Sequence, residues 1–175
     1  MAETDFNHWL QQLATVRLPT WQALPEFDLY MDQVITETDR YLRPLGIEPL
    51  TKSMVNSYVK RKIIHRPEKK HYTRTHLAEI MIVSLFKAAF PLEAIHSGIQ
   101  QAITADTTAQ QAYDQFVTRI NAELASLDQA TATPLFSAND TAYERTQKAA
   151  IRTILYQIIT QQTLHVESKP VPTES

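Results

Sequence analysis

The chain has 175 residues, a formal net charge of −2, two glycines and no cysteine. A chain of this length suits one domain, or a small domain with an appendage, and its hydrophobic and charged fractions are those of an ordinary globular protein. The lack of cysteine excludes a disulfide framework and a thiolate metal site, and the scarcity of glycine and of alternating β-branched residues predicts a mostly helical fold.

Targeting and membrane segments are not expected. Residues 1–6 have neither a basic start nor an apolar core, which excludes a signal peptide. No apolar run reaches the ~18 residues that a membrane-spanning helix needs. We therefore predict a cytoplasmic protein.

The first 50 residues predict two helices separated by an irregular segment. Apolar residues recur at helical spacing from Asp5 to about Val16. The stretch 18–27 contains prolines that stop regular structure, so its apolar side chains are expected to fill a groove. Asp28 is the predicted N-cap of the next helix, which ends at Pro44 and Gly46. Four aromatic residues of this region could line a small-molecule pocket, although core packing is the simpler interpretation: Trp9, Trp21, Tyr30 and Tyr41.

Residues 52–74 carry a charge opposite to that of the rest of the chain. This stretch, called the basic segment below, has eight Lys and Arg residues against a single acid, Glu68. Its charge of +7 leaves −9 on the remaining 152 residues. A local excess of positive charge attracts polyanions, and nucleic acid is the commonest polyanion that a globular protein meets.

The first part of the basic segment has the pattern of a DNA-recognition helix. Thr51 is the predicted N-cap of a helix that extends to Arg61. One face is apolar, and Tyr58 on that face is expected in the core. The opposite face is polar and contains no acid. We predict that four residues near the N-terminal half of this helix meet base edges: Lys52, Ser53, Asn56 and Ser57.

Base contacts and phosphate contacts are assigned to different residues. Asn56 can pair bidentately with adenine, with an idle surface amide as the alternative, and Lys52 or Lys60 can reach guanine. Four cations are predicted to hold phosphates and to carry little sequence information: Lys60, Arg61, Lys69 and Lys70. If roughly five to eight phosphates are contacted, the log–log dependence of affinity on salt has a slope of about −4.5 to −7.

A short hairpin and two further helices are predicted next. Residues 63–65 and 69–72 flank the turn-like sequence Arg66–Glu68 and are expected to pair as a two-stranded wing. An apolar helix is predicted from Arg74 to about Phe90, and its pattern indicates burial on most sides. Pro91 opens the following helix.

This order of elements and three motifs resemble the MerR-like winged helix-turn-helix proteins. Residues 57–64 are similar to the tyrosine-bearing recognition helix of that family, 71–77 to the end of its wing, and 90–95 to its Phe-Ser-Leu-Glu-Glu-Ile element. The resemblance implies that the helix 51–61 enters the major groove and that helices after the wing form a dimer, which reads paired half-sites. Lys62 stands where that family usually has a glycine.

Three stretches give a closer resemblance to a family of Gram-positive bacterial proteins catalogued only as a domain of unknown function: 29–34, 50–60 and 69–74. This resemblance covers the chain to about residue 150. It implies a MerR-like fold and no established activity.

Two long amphipathic helices are predicted in the last third, over 108–127 and 139–164. The uncharged linker 130–138 between them favours an antiparallel pair. The pair could form a dimer interface, line an effector pocket or cover the N-terminal core, and we favour homodimerisation. Residues 165–175 are polar, contain proline and are predicted to be disordered.

The sequence offers no catalytic or metal chemistry. It contains no Gly-rich phosphate loop, no cysteine nucleophile and no close carboxylate pair in an apolar context, so no enzyme is expected. The histidines show no i, i+4 pair. Only His76 and Glu79 have a helical spacing that suits a metal, and they lack a third ligand. No metal or cofactor is therefore predicted, and His65 and His71 are expected to add positive charge below about pH 6.5.

We predict an all-α protein with a MerR-like winged helix-turn-helix over residues 1–104, a C-terminal helix pair over 105–164 and a tail over 165–175. The predicted function is sequence-specific binding of duplex DNA by a transcriptional regulator that forms a homodimer. The alternative is a non-catalytic adaptor that binds an acidic protein through the same basic surface, and RNA binding is a third possibility. A small-molecule effector has no support in the sequence.

Overall fold

The computed structural model describes residues 2–129 and 134–167. Within this part of the chain the fold is all-α, and no helix is long and apolar enough to cross a membrane. The helices are α1 (Ala2–Thr15), α2 (Met31–Leu42), α3 (Lys52–Lys60), α4 (Arg74–Phe86), α5 (Leu92–Ala102), α6 (Ala109–Ala125) and α7 (Ala142–Glu167). Short 3-10 turns lie at Trp21–Ala23 and Arg43–Leu45.

Helix α4 lies at the centre, in contact with α2, α5 and α6. Ten of its 13 residues are buried, which confirms the predicted burial of this helix on most sides. The buried apolar side chains form one cluster that extends from Leu13 in α1 to Ile158 in α7. Helix α4 ends at Phe86 rather than at Phe90, because the chain turns sharply there: the N–H groups of Ala89 and Phe90 both donate to the Phe86 carbonyl.

The irregular segment before α2 is fixed by side chains of α6. Asn121 accepts from the Leu18 N–H (2.8 Å) and donates to the Leu18 carbonyl (3.0 Å). Asp114 accepts from the Trp21 N–H at 2.7 Å, and the Tyr113 hydroxyl donates to the Pro19 carbonyl at 3.0 Å. These bonds satisfy backbone groups that no regular element pairs, so the segment can be partly buried. Leu18 and Leu24 are buried in the core, which confirms the predicted packing for these two residues, whereas Phe27 is 67% exposed.

The prediction that Asp28 caps α2 is wrong, since the helix begins at Met31. The chain is extended just before it, where Leu29 and Tyr72 exchange two backbone hydrogen bonds of 2.8 Å. The 3-10 turn after α2 ends at Gly46, whose φ of 74° lies in the left-handed region that glycine adopts most easily.

The predicted two-stranded wing is not formed. No strand occurs among the described residues, only isolated bridges between Glu68 and His71 and between Leu29 and Tyr72. The turn is centred on Lys69 and Lys70 and not on the Arg66–Glu68 sequence. Residues 63–65, the predicted partner strand, form no bridge with 69–72. Instead Ile63 and Ile64 pack in the core, where each is only 4% exposed.

Helices α6 and α7 run in the same direction, and the predicted antiparallel pair is wrong. Arg119 binds Glu144 at 2.6 Å, and Glu123, one turn further along α6, binds Arg152, two turns further along α7, at 2.7 Å. The connection 126–141 can span up to ~50 Å and α6 is ~25 Å long, so the chain can return to the start of α6. Tertiary packing of α7 against α1, α5 and α6 then sets the direction.

Two sequence predictions are not decided by these features. The division of the chain at residues 104 and 105 stays a prediction. The disordered tail was expected from residue 165, but α7 continues to Glu167, and residues 168–175 lie outside the described part of the chain.

Alkaline titration tests the packing of the tyrosines. Burial raises the pKa of Tyr58, Tyr72, Tyr113 and Tyr143 above 10. Since their folded pKa values exceed the unfolded value, this contribution to stability is complete below about pH 10 and is lost as pH rises through the folded values. We expect tyrosinate absorbance of the native protein at about pH 11 to report fewer than the seven tyrosines that titrate in denaturant. Titration of all seven near pH 10 with unchanged circular dichroism contradicts this packing.

Candidate nucleic-acid interface

Helix α3 presents the polar face that the sequence predicts. The Thr51 hydroxyl accepts from the Met54 N–H at 3.2 Å and caps the helix as expected. Val55 and Tyr58 are buried, which confirms Tyr58 as a core residue. At 100° per residue, the predicted base-reading and phosphate-binding positions of α3 lie within about 140° of one helix face. Of these, Ser57 is half-buried and the others are exposed: Lys52, Ser53, Asn56 and Lys60.

Two of the predicted contact residues are paired with acids from other helices. Lys52 lies 2.7 Å from Asp32 in the first turn of α2. Arg61 binds Glu93 in the first turn of α5. The backbone N–H of Glu93 and the Arg61 guanidinium hold the pKa of the Glu93 carboxyl below its usual range. The sequence could not reveal these pairs, since the acids are distant along the chain.

The end of α3 is a Schellman motif with lysine in the position that glycine favours. The Ile63 N–H donates to the Tyr58 carbonyl (2.9 Å) and the Lys62 N–H to the Val59 carbonyl (3.1 Å). Lys62 accordingly has a φ of 58°. This is the residue that replaces the expected family glycine, so the left-handed conformation is kept while a charge is added.

The turn at residues 69 and 70 also places lysine in the left-handed backbone conformation. Lys69 and Lys70 have φ values of 46° and 65°, and the His71 N–H donates to the Glu68 carbonyl at 2.8 Å, as in a type I′ turn. Asn and Gly are the usual residues at such positions. Among the described residues, every non-glycine residue with a left-handed backbone is therefore a lysine of the basic segment. Each costs about 1 kcal/mol relative to glycine.

The end of α3 and the residues after it line an open groove, called the basic groove below. Its lining residues are Asn56, Val59, Lys60, Lys62, Ile63, Ile64, His65, Arg66, Glu79, His96 and Gln100. The groove brings the predicted residues Asn56 and Lys60 together with Lys62, His65 and Arg66 of the basic segment. Two lining residues from α5 were missed, His96 and Gln100, although the polar spacing 93, 96, 100 could have indicated a face of that helix turned to the same side.

A buried carboxylate fixes the wall of the basic groove. The side chain of Glu79 in α4 is 6% exposed and accepts from the His65 backbone N–H at 3.0 Å. Its other oxygen lies 2.5 Å from His65 Nδ1. From the opposite side, His96 Nδ1 donates to the Ile63 carbonyl at 2.9 Å. The segment after α3 is thus attached to both α4 and α5.

His76 has a structural role, because its Nδ1 accepts from the Thr73 N–H at 3.0 Å at the start of α4. No three His, Asp or Glu side chains come together as a metal site within the described residues.

The 69–70 turn lies beside the start of α2, and so does the first turn of α3. The His71 ring packs on the Tyr30 ring with centroids 4.9 Å apart, while Lys52 binds Asp32 two residues further on. The start of α2 therefore lies between the two predicted contact regions, Lys52 and Ser53 on one side and Lys69 and Lys70 on the other. Both lysines of the turn are exposed.

Comparison with known proteins gives one family. The family described as "Domain of unknown function (DUF1836)" matches residues 19–116, which is more than half of the chain. This match confirms the resemblance to a family of unknown function, whereas the MerR-like resemblance stays a prediction. No curated protein and no solved structure matches the chain.

Replacement of Lys62 by glycine tests the backbone geometry. Lys62→Gly should raise the free energy of unfolding by about 1 kcal/mol, because glycine has no Cβ penalty at a φ of 58°. The matched control is Lys60→Gly, which removes the same charge from a helical position and should lower it by roughly 0.5–1 kcal/mol. Urea denaturation measures both, and a loss of stability in Lys62→Gly would falsify the left-handed assignment.

Proposed function

The chain belongs to the DUF1836 family, a domain of unknown function, and we propose that it is a transcriptional regulator that binds duplex DNA sequence-specifically through α3, the basic groove and the 69–70 turn. The proposal rests on the chemistry of this surface.

The single observation that carries the proposal is the identity of the residues with left-handed backbone. At three such positions glycine or asparagine gives higher stability, yet the chain has Lys62, Lys69 and Lys70. A backbone conformation that costs free energy is retained where the side chain has a use. Since all three side chains are cations of one segment, the use is the binding of a polyanion.

Unpaired charge on this surface supports the same conclusion. Five cations of the basic segment have no carboxylate within 4.0 Å among the described residues: Lys60, Lys62, Arg66, Lys69 and Lys70. They can displace counterions from phosphates without first breaking an ion pair. If all five do so, the salt slope is about −4.5, the shallow end of the predicted range.

In this proposal the exposed face of α3 contacts the bases. Asn56, Ser53 and Ser57 carry short polar side chains on that face, and Asn56 also lines the basic groove. In a MerR-like docking, α3 enters the major groove while the 69–70 turn replaces the wing and contacts the adjacent backbone. This docking is supported by the order of the helices and by the exposed polar face that extends along the whole of α3.

A homodimer through the C-terminal helices is part of the proposal. Tyr156 and Leu164 of α7 are 59% and 61% exposed and lie eight residues apart, on the same side of the helix. Such a dimer presents two copies of α3 to paired half-sites. A regulator of this kind acts in the cytoplasm, as the sequence predicts.

A protein-binding adaptor is the second candidate, and one observation favours it. Phe27 and Tyr30 are 67% and 60% exposed, and the Tyr30 ring contacts His71 next to the lysine turn. Exposed aromatic rings beside cations suit an acidic protein surface.

A charge-removing variant that keeps the turn separates these functions. Lys69→Asn/Lys70→Gly retains residues that favour a type I′ turn and removes two cations. We expect weaker binding to all duplex sequences alike and a salt slope shallower by about 1.8. The control Arg17→Gln/Arg145→Gln removes two exposed cations outside the basic segment and should leave both quantities unchanged.

Fluorescence anisotropy with mixed duplexes at about 50 mM salt measures these effects. Failure of the wild type to bind any duplex, together with binding to an acidic protein, supports the adaptor instead. Preference for structured RNA over DNA in competition supports RNA binding.

The Arg61–Glu93 pair predicts a variant that binds DNA more tightly. Glu93→Gln removes the acid that engages Arg61, so one more cation becomes available to phosphate. We expect a several-fold gain in affinity at low salt and a slope steeper by about 0.9. Arg61→Gln/Glu93→Gln should abolish the gain, and an unchanged slope in Glu93→Gln shows that Arg61 does not face the DNA.

A further inference from the structure

A second concave feature is an apolar recess of about 230 Å³ that is partly open to solvent and is called the cavity below. It lies between α4, α5, α6, the start of α7 and the 3-10 turn at Trp21. Alanine and isoleucine line much of its wall, together with six aromatic side chains: Trp21, Phe86, Phe90, Tyr113, Phe116 and Tyr143. An apolar recess of this size is far larger than the voids between packed side chains, which rarely exceed a water molecule.

The cavity is poorly suited to water. Two of its polar side chains are bonded to each other, since Gln147 Nε2 donates to the Tyr143 hydroxyl at 2.9 Å. The other end of the Gln147 amide accepts from Arg119. An ordered water needs two to four polar partners, and Tyr143 and Gln147 already make hydrogen bonds within the protein.

Shape and ring arrangement favour an aromatic guest. The rings of Trp21 and Tyr113 meet edge to face at 5.9 Å, and those of Phe86 and Phe116 are tilted at 5.8 Å. Further rings add to such a cluster through offset or edge contacts. A cavity of ~150 Å³ takes benzene, so in proportion this one has room for roughly nine non-hydrogen atoms.

The charge of the lining decides between classes of aromatic molecule. Among the described lining residues there is no Lys or Arg to pair with an anion. The one carboxylate is Glu79, whose two oxygens both already contact His65. An ionic group that enters the cavity would lose part of its hydration without gaining a free partner of opposite charge. We propose that this cavity is a binding site for a small uncharged aromatic molecule of roughly nine non-hydrogen atoms.

A molecule bound in the cavity can affect the basic groove, because the two features share lining residues. Glu79 lines both the cavity and the groove. In α5, Gly98 and Ile95 line the cavity while His96 and Gln100 line the groove. A guest that packs against Glu79 therefore alters the environment of the hydrogen bond from the His65 N–H. This effect rests on the contacts of the free protein and is measured without DNA.

The test uses three probes that differ mainly in charge: 2-phenylethanol, phenethylamine and phenylacetate. Trp21 lines the cavity, so its fluorescence in a Trp9→Phe background reports binding. We expect 2-phenylethanol to bind at least tenfold more tightly than either charged probe. At saturation the backbone amide resonance of His65 should shift, while that of Arg40, an exposed α2 residue that lines neither the cavity nor the groove, stays in place.

Filling the cavity is the specific control. A Cβ at Gly98 meets nothing within 4 Å, so Gly98→Leu should occupy the space and reduce 2-phenylethanol affinity more than tenfold, while Gly98→Ala keeps most of it. Ala150→Leu on the opposite wall serves the same purpose if the first variant is unstable. Equal affinity for the three probes, unchanged affinity in both filled variants, or an unmoved His65 amide overturns the proposal.

Discussion

The shape of the basic groove depends on the attachment of a charged surface segment to α4, which is largely buried. Helix α4 is enclosed on nearly all sides, and Glu79 is its buried carboxylate. Hydrogen bonds to a charged group contribute about 1.5–3 kcal/mol each. Two of them, from the backbone and the ring of His65, exceed the ~1 kcal/mol that the left-handed backbone of Lys62 costs. The groove can therefore keep a strained lysine without losing its shape.

Charges are organised differently in the two parts of the chain. Between α6 and α7, arginines and acids pair with each other, as in Arg119–Glu144 and Arg152–Glu123. In the basic segment Lys52, Arg61 and Arg74 each pair with an acid from elsewhere in the chain, and the buried Glu79 contacts His65. The other five cations of the segment stay available to solvent and to a partner. The basic segment thus differs from the α6–α7 region both in its net charge and in the share of its cations that form ion pairs.

The cavity and the basic groove have a common wall, made of Glu79 and the two faces of α5. Most of this wall lies within the family match, residues 19–116. The cavity is completed by Tyr143, Gln147 and Ala150 of α7, which lie outside that match. In the cavity these three residues meet α6 side chains from Ala109 to Phe116.

The sequence alone determined the helices, the burial of α4 and the location of the excess positive charge, because apolar spacing, capping residues such as Thr51 and charge counts are local properties. The left-handed backbone at Lys62 was not predicted, although MerR-like proteins usually have glycine there. Only the tertiary structure decided how these parts meet. Burial of Ile63 and Ile64 removed one strand of the wing, and packing of α7 chose a parallel direction that a long connection leaves open. Pairs such as Glu79–His65 and Arg61–Glu93 join residues far apart in the chain, where no local pattern specifies a partner.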